Sequence, residues 1–239
     1  MKLVVGNQKT TMNKEDVLAF IEGFKNINCS NIVVCPSYPY IEIYNNNSNF
    51  ILGAQNVSSK GNGSTTGEIS AEQLESLDVK YSIVGHSERR KYQNEKCDDF
   101  YDKIINLLNF DITPIFCVGE NLEEKESGIT KDVIGKQILE VYDKIDKDLI
   151  DRIVIAYEPV WAIGTGNVPT NDEISDVILY IKDLISDKYD KSILVLYGGS
   201  VSKKNILELN LINEVDGYLI GGASTKKDEF LYIINECNK

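Results

Sequence analysis

Short runs of hydrophobic, mostly β-branched residues recur along the whole chain. Each run is followed by a polar turn and then by a segment with helical periodicity. Each run is almost continuously apolar, which is typical of a strand buried on both faces of a parallel sheet. The pattern therefore predicts strands at residues 2–6, 31–36, 50–54, 81–85, 113–118, 153–157, 193–197 and 218–220.

Helix signals separate these strands. Ser70 with Gln73, and Thr170 with Glu173, have the spacing of capping boxes. Residues 14–25 and 131–145 have apolar residues at helical spacing, whereas the Asn-rich residues 45–49 predict a loop. Alternating strands and helices without a linker predict one α/β domain over residues 1–239 with a parallel sheet.

A closed (β/α)8 barrel of the TIM type is the favoured architecture, because such barrels have roughly 250 residues and this chain has 239. An open doubly wound sheet is the alternative. No G-x-G-x-x-G motif follows the first strand, which weakens the dinucleotide-binding form of that alternative.

The composition excludes several classes of partner. The net charge is −12, so nucleic acid and anionic membranes are not expected partners, and an anionic substrate would need local positive potential. The five cysteines are scattered, without C-x-x-C or metal-ligand spacing, so we expect reduced thiols and no metal. With neither a signal-peptide pattern nor an apolar run of about 18 residues, the sequence predicts a cytoplasmic protein.

Polar residues and glycines follow most of the predicted strands. Because the carboxyl ends of parallel strands meet at one end of a barrel, these residues should gather around one mouth. They are Asn7 and Lys9, Gln55 and Asn56, His86, Glu120, Glu158, the triplet 198–200, and Gly221 with Gly222.

His86 and Glu158 are the strongest candidates for acid–base chemistry. His86 is the only histidine, and a helix start at this position would favour its neutral form, a hydrogen-bond donor to a carbonyl. Glu158 directly follows an apolar strand, where an unpaired carboxylate is costly to bury. It is either a salt-bridged structural residue or a desolvated general base. A surface or packed role is likewise the alternative for His86.

The segment after Glu158 is long, with glycines in its middle and prolines near both ends. This composition suits a stiff lid that moves on short hinges, although an ordinary βα loop remains the alternative. The glycine pairs at 198–199 and 221–222 suit phosphate binding, because glycine lets backbone N–H groups approach an anion. Lys9 is the only cation just beyond the first strand, and it should face the same mouth.

These segments together resemble the triosephosphate isomerase family, and the similarity spans essentially the whole chain. They are GNQK at 6–9, GAQNVS at 53–58, TGEIS at 66–70, GHSERR at 85–90, CVGE at 117–120, AYEPVWAIGTG at 156–166, YGGSV at 197–201 and GGAS at 221–224. The resemblance implies cofactor-free interconversion of dihydroxyacetone phosphate and D-glyceraldehyde 3-phosphate, and hence a role in glycolysis and gluconeogenesis.

The resemblance also implies a role for each site residue. Glu158 would be the general base and His86 the neutral electrophile, the pairing by which this family is known. Lys9 and Asn7 would stabilise the enediolate, and Glu88 would orient Lys9. The phosphate would be held by Gly164, Ser200, Gly221 and Gly222. The lid would comprise Pro159, Val160, Trp161, Ala162, Ile163, Thr165, Gly166, Asn167, Val168 and Pro169.

A homodimer is implied as well, in which a long loop inserts beside the partner's site. The loop residues are Gln55, Asn56, Thr66, Gly67 and Glu68. The chain departs from the family pattern at Gln8, Thr65, the pair 93–94 and Pro169, but at no catalytic position. Another phosphosugar isomerase with a barrel fold and a non-catalytic phosphate-binding or scaffold barrel are the competing interpretations.

Overall fold

In a computed structural model, which describes residues 2–27, 29–163 and 168–239, eight parallel strands close a barrel in chain order. The (β/α)8 prediction is confirmed and the open-sheet alternative is wrong. Each strand lies within two residues of the run that predicted it. The strands are β1 (Leu3–Asn7), β2 (Ile32–Cys35), β3 (Ile51–Ala54), β4 (Tyr81–Val84), β5 (Thr113–Val118), β6 (Val154–Tyr157), β7 (Val195–Tyr197) and β8 (Gly217–Ile220).

Helices connect successive strands and surround the barrel. Both predicted capping boxes are present, with Ser70 and Thr170 accepting from the backbone N–H groups of Gln73 and Glu173. The helices are α1 (Lys14–Glu22), α2 (Ile41–Asn47), α3 (Ala71–Glu75), α4 (Ser87–Tyr92), α5 (Cys97–Leu108), α6 (Leu122–Glu126), α7 (Thr130–Tyr142), α8 (Asn171–Tyr189), α9 (Ile206–Leu209) and α10 (Lys227–Cys237).

The loop predicted at residues 45–49 is wrong over its first three positions, because α2 continues to Asn47. The buried side chains of Ile41 and Tyr44 fasten one face of this helix to the core. At its end, the Asn47 amide donates to the Ile43 carbonyl at 2.7 Å and Ser48 Oγ donates to the Tyr44 carbonyl at 2.8 Å. Tertiary packing and these local bonds outweigh the poor helix propensity of asparagine.

Alternate residues along each strand pack into two separate hydrophobic layers. Val5 on β1 points into the barrel, whereas its neighbour Val4 faces the surrounding helices. Burial on both faces explains why the strands are almost continuously apolar in the sequence. No helix within the described ranges is long and apolar enough to cross a bilayer.

Candidate active site

A cavity of about 570 Å³ lies at the carboxyl ends of the strands. It collects residues that follow five different strands, which are far apart in the sequence. The predicted site residues that line it are Asn7, Lys9, His86, Glu158, Ser200, Gly221 and Gly222. Glu120 follows β5 but is not among its lining residues.

His86 and Glu158 contact each other inside this cavity. His86 Nε2 lies 3.1 Å from Glu158 Oε1, and the two side chains are 8% and 3% exposed. The other carboxylate oxygen of Glu158 accepts a hydrogen bond from the backbone N–H of Ser87 at 3.1 Å. Glu158 is therefore a buried carboxylate whose two oxygens are both held by residues at the start of α4.

The hydrogen bonds of His86 assign its tautomer. His86 is the residue before the first turn of α4, and its Nδ1 accepts from the backbone N–H of Glu88 at 3.2 Å. A nitrogen that accepts carries no proton, so the proton of the neutral ring is assigned to Nε2, which points at Glu158. His86 can therefore donate from Nε2 to an oxygen in the cavity.

Hydrogen bonds from Arg90 hold the turn that carries His86. Arg90 Nε donates to the Gly85 carbonyl at 2.7 Å, and its guanidinium also donates to the Cys117 carbonyl at 2.6 Å. Gly85 has φ +71, a conformation that suits glycine, which lets β4 turn sharply into α4. Arg90 thus joins the ends of β4 and β5, a function that its position in the sequence did not reveal.

Two glycines make room for Glu158, and the sequence analysis assigned this role to neither of them. A Cβ on Gly119 would collide with the Glu158 carbonyl oxygen, and one on Gly198 would lie 2.9 Å from Glu158 Cγ. Gly119 is fixed in turn by Gln137, which accepts from its N–H at 3.0 Å and donates to its carbonyl at 2.9 Å. Position after a strand predicted Gly198 at the mouth and could have identified Gly119 in the same way, but it does not reveal the contacts of either glycine with Glu158.

Lys9 has a left-handed backbone, with φ 50, which is costly for a residue with a Cβ. Its carbonyl accepts hydrogen bonds from Ser37 Oγ and Gln55 Nε2, both at 2.7 Å. Its N–H donates to Asn7 Oδ1 at 3.2 Å. Three hydrogen bonds therefore hold a strained conformation at the edge of the cavity.

The side chain of Lys9 spans two parts of the site. Its Nζ forms an ion pair with Glu88, and its stem passes beside Gly221. The neighbouring Gln8 is buried and accepts from Tyr44 Oη at 2.8 Å. The hydrogen-bonded side chains of Gln8 and Tyr44 are therefore buried in the core next to Lys9.

The glycine turns and part of the predicted lid form the opposite end of the cavity. Ile163 and Val168 line it, and Ser200 Oγ donates to the Ala162 carbonyl at 2.8 Å. Residues 222–225 form a 3₁₀ turn directly after β8, whose first N–H groups suit an anion. The predicted phosphate ligand Gly164 and lid residues Thr165, Gly166 and Asn167 lie outside the described residues.

The first turn of the predicted lid is attached to Glu120. Residues 160–162 form a 3₁₀ turn after Pro159, and Trp161 Nε1 donates to Glu120 Oε1 at 2.8 Å. Lys125 Nζ lies 3.5 Å from the centroid of the Trp161 ring. At the far end of the predicted lid, Pro169 is buried beside the same cluster.

The residues predicted for a dimer loop divide into two groups. Gln55 and Asn56 are fixed near the site, with Asn56 Oδ1 accepting from Lys103 at 2.8 Å. Thr66, Gly67 and Glu68 are exposed. A second cavity of about 700 Å³, lined in part by Gln55 and Asn56, opens beside the site. Its lining also includes Lys9, His86 and Glu88.

The fold and site together define a class of protein: an α/β-barrel enzyme equipped for acid–base chemistry on a small anion. A family model described as triosephosphate isomerase matches residues 2–237. The chain is 41% identical to the triosephosphate isomerase of Alkaliphilus metalliredigens, 39% to that of Dictyoglomus thermophilum and 38% to that of Alkaliphilus oremlandii. Each comparison covers 98% of both chains. The chain therefore belongs to the triosephosphate isomerase family.

Proposed function

We propose that this protein interconverts dihydroxyacetone phosphate and D-glyceraldehyde 3-phosphate without a cofactor, a step of glycolysis and gluconeogenesis. Membership of the family and the names of the relatives support this activity. The observation that carries the proposal is the 3.1 Å contact between His86 Nε2 and Glu158 Oε1 in a cavity that also presents Lys9. No feature of the described residues favours the non-catalytic alternative.

Glu158 is the proposed general base. Its carboxylate removes the proton from the carbon next to the substrate carbonyl and returns it to the neighbouring carbon. Its burial supports this role, because a carboxylate with little hydration needs less solvent rearrangement to accept a proton from carbon.

His86 is the proposed electrophile. Its Nε2–H donates to the substrate oxygen and stabilises the negative charge that develops there. In the structure this donor is directed at Glu158, so the substrate oxygen must replace the carboxylate as its acceptor. Substrate binding would thereby release one oxygen of Glu158 for proton abstraction.

Lys9 and Asn7 are the proposed stabilisers of the enediolate. Lys9 lines the same cavity as His86 and Glu158, and its ion pair with Glu88 keeps the ammonium at the mouth of the cavity. The hydrogen bonds to its backbone carbonyl supply rigidity, which matters because preorganised charge is worth more than charge that must be reoriented.

The opposite end of the cavity is the proposed phosphate site, formed by Ser200, Gly221 and Gly222 together with Gly164. A lid over residues 159–169 would close on the bound phosphate and exclude water from the enediolate. The bond from Ser200 to the Ala162 carbonyl supports coupling between phosphate and lid, because phosphate binding at Ser200 would change a contact of the lid.

We further propose a cytoplasmic homodimer in which each chain acts as one domain over residues 1–239. The exposed tip at Thr66, Gly67 and Glu68 would fill the partner's cavity beside Lys9. Light scattering after gel filtration tests this directly. Thr66→Arg should give monomers with reduced turnover, whereas Ser186→Arg on the exposed face of α8 should remain dimeric. A monomeric wild-type chain would contradict the dimer.

A coupled isomerase assay on the purified chain tests the activity. We expect turnover in both directions without added metal or cofactor. His86→Ala should lower kcat by about 10²–10³-fold, the usual cost of losing one donor to a developing oxyanion. Circular dichroism and thermal melting of the variant would exclude unfolding as the cause. No turnover by a folded wild-type dimer would contradict the proposed function.

A further inference from the structure

The pairing of β4 with β5 stops before β5 ends, at Val84 and Phe116. Beyond this point β4 turns into α4, whereas β5 stays paired with β6 as far as Val118 and Tyr157. The peptide groups of β5 that face β4 therefore lose their strand partner over the last residues. Backbone groups without a partner are costly inside a protein, so these groups need other ligands.

Two side chains from helices take the place of the missing strand. Arg90 of α4 donates to the Cys117 carbonyl at 2.6 Å. Two residues further along, Gln137 of α7 accepts from the N–H of Gly119 at 3.0 Å and donates to the Gly119 carbonyl at 2.9 Å. A neighbouring strand of a parallel sheet likewise bonds to both the N–H and the carbonyl of one residue, so the Gln137 amide continues the sheet where β4 is absent.

The opposite edge of the same segment carries the proposed base. The N–H of Glu158 donates to the Val118 carbonyl at 2.8 Å, and the N–H of Val160 donates to the Glu120 carbonyl at 3.0 Å. Gly119 lies between these two bonds and packs directly against the Glu158 carbonyl. The backbone of the proposed base is thus held by a segment whose other edge is bonded to α7.

We propose that Gln137 is a positioning residue for Glu158. This inference rests on the proposed function, in which Glu158 removes a proton from carbon. Gln137 is not among the described residues that line the active-site cavity, so it acts through the position of β5. Without its amide, both polar groups of Gly119 lose their partner and the end of β5 can move. A displacement of about 1 Å in a reacting group can lower the rate by about a hundredfold.

The first test is Gln137→Met, which removes the amide at nearly constant shape. We expect kcat to fall by about ten- to a hundredfold. KM, and the Kd of the two-carbon phosphorylated acid 2-phosphoglycolate, should stay within about threefold of wild type, because the phosphate turns after β7 and β8 are untouched. A fall in kcat at nearly constant KM separates displacement of the base from a general loss of binding.

Asn210→Leu is the matched control. The Asn210 amide also accepts one hydrogen bond, from Tyr218 Oη at 2.9 Å, and donates another, to the Glu236 carbonyl at 3.0 Å. It is not among the described residues that line the cavity. Its loss should lower the melting temperature as in Gln137→Met, since each variant loses two hydrogen bonds, and should leave kcat within about twofold of wild type.

Gln137→Glu separates the accepted bond from the donated one. The introduced carboxyl accepts from the Gly119 N–H, but in its ionised form it cannot donate to the Gly119 carbonyl. We therefore expect a reduced kcat at about pH 8 and a rise relative to wild type as pH falls towards about 5, where the carboxyl gains a proton that it can donate. Because damage to the fold would not be repaired by acid, this recovery also decides the question if Gln137→Met does not fold.

Crystal structures test the position of Glu158 without turnover. In Gln137→Met, the Glu158 carboxylate should lose the 3.1 Å bond from the Ser87 N–H, which Asn210→Leu should keep. An unmoved Glu158 in Gln137→Met would overturn the proposal, as would equal losses of kcat in Gln137→Met and Asn210→Leu, or no acid recovery in Gln137→Glu. A wild-type chain without turnover would refute the proposed function, while the variant structures would still test Gln137.

Discussion

Two glutamates at the ends of neighbouring strands differ in what holds them. Glu120 follows β5 and Glu158 follows β6, and the two are 1% and 2% exposed. Glu158 is bound by His86 and the Ser87 N–H at the cavity, whereas Glu120 accepts from Tyr157 at 3.2 Å and from Trp161 at 2.8 Å. Both carboxylates are therefore buried, and their different partners distinguish the proposed base, which lines the cavity, from the proposed anchor of the lid.

Burial also disfavours the charged form of Glu120, the proposed anchor. Burial raises the pKa of Glu120, opposed by the hydrogen bonds from Trp161 and Tyr157 and by the charge of Lys125. Its Oε2 has no hydrogen-bond partner among the described residues. Burial, reinforced by Glu120, raises the pKa of Tyr157, so the phenol stays protonated and can donate. A buried carboxylate near an active site is thus not evidence of catalysis by itself.

The same substitution at both positions tests the comparison most strongly. Glu158→Gln removes the proposed base at nearly constant shape, so kcat should fall by about 10²–10⁴-fold. Binding of 2-phosphoglycolate should remain measurable, because the phosphate site is untouched. Glu120→Gln should lower kcat less than about tenfold, because its partners are Tyr157 at the end of β6 and Trp161 of the proposed lid, and not the catalytic pair. Steady-state kinetics of the two variants, with matched melting curves, provide the measurement.

Equal losses of kcat in Glu158→Gln and Glu120→Gln would contradict the proposed difference in role between the two glutamates. Full activity of Glu158→Gln would remove Glu158 as the base.

A smaller effect on activity is expected from a substitution at Gly119, which precedes Glu120 in the chain and lies against the backbone of Glu158. A Cβ at this position would collide with the Glu158 carbonyl, and Gln137 prevents Gly119 from moving away. Gly119→Ala should lower the free energy of unfolding by about 1–3 kcal/mol, the usual cost of overpacking, and should also lower kcat by displacing Glu158. Urea unfolding and steady-state assays measure both.

Gly61→Ala is the control, because nothing lies within 4 Å of a Cβ built there. It should leave kcat within twofold of wild type. A Gly119→Ala variant with unchanged stability and turnover would mean that the close approach to Glu158 is relieved at no cost.

The sequence predicted the barrel because burial on both strand faces leaves a continuous apolar run, as in residues 113–118. It predicted the positions of His86 and Glu158 because strand ends share one mouth. Position after an apolar strand does not by itself distinguish Glu120 from Glu158, and only the family resemblance singled out Glu158, since the partners of both residues come from other elements. The role of Gly119 depends on a contact between neighbouring strands, and the helix at Asn45 depends on tertiary burial of its neighbours.

The smallest expected effect is a pH dependence with opposite signs at two glutamates beside Lys125. Because burial raises the pKa of Glu120, its stabilising contribution is complete below the ordinary value of 4.5 and is lost as pH rises through the higher folded value. Glutamine does not titrate, so the stability of Glu120→Gln relative to wild type should increase from pH 5 to pH 8.

The backbone N–H of Thr170 lowers the pKa of Glu173, so there the charged form stabilises the fold and the contribution is lost as pH falls. Glu173→Gln should therefore lose stability relative to wild type as pH rises through the ordinary value of 4.5. Urea unfolding of the three proteins from pH 4 to pH 8 measures both trends, and slopes of the same sign would show that desolvation does not dominate at Glu120.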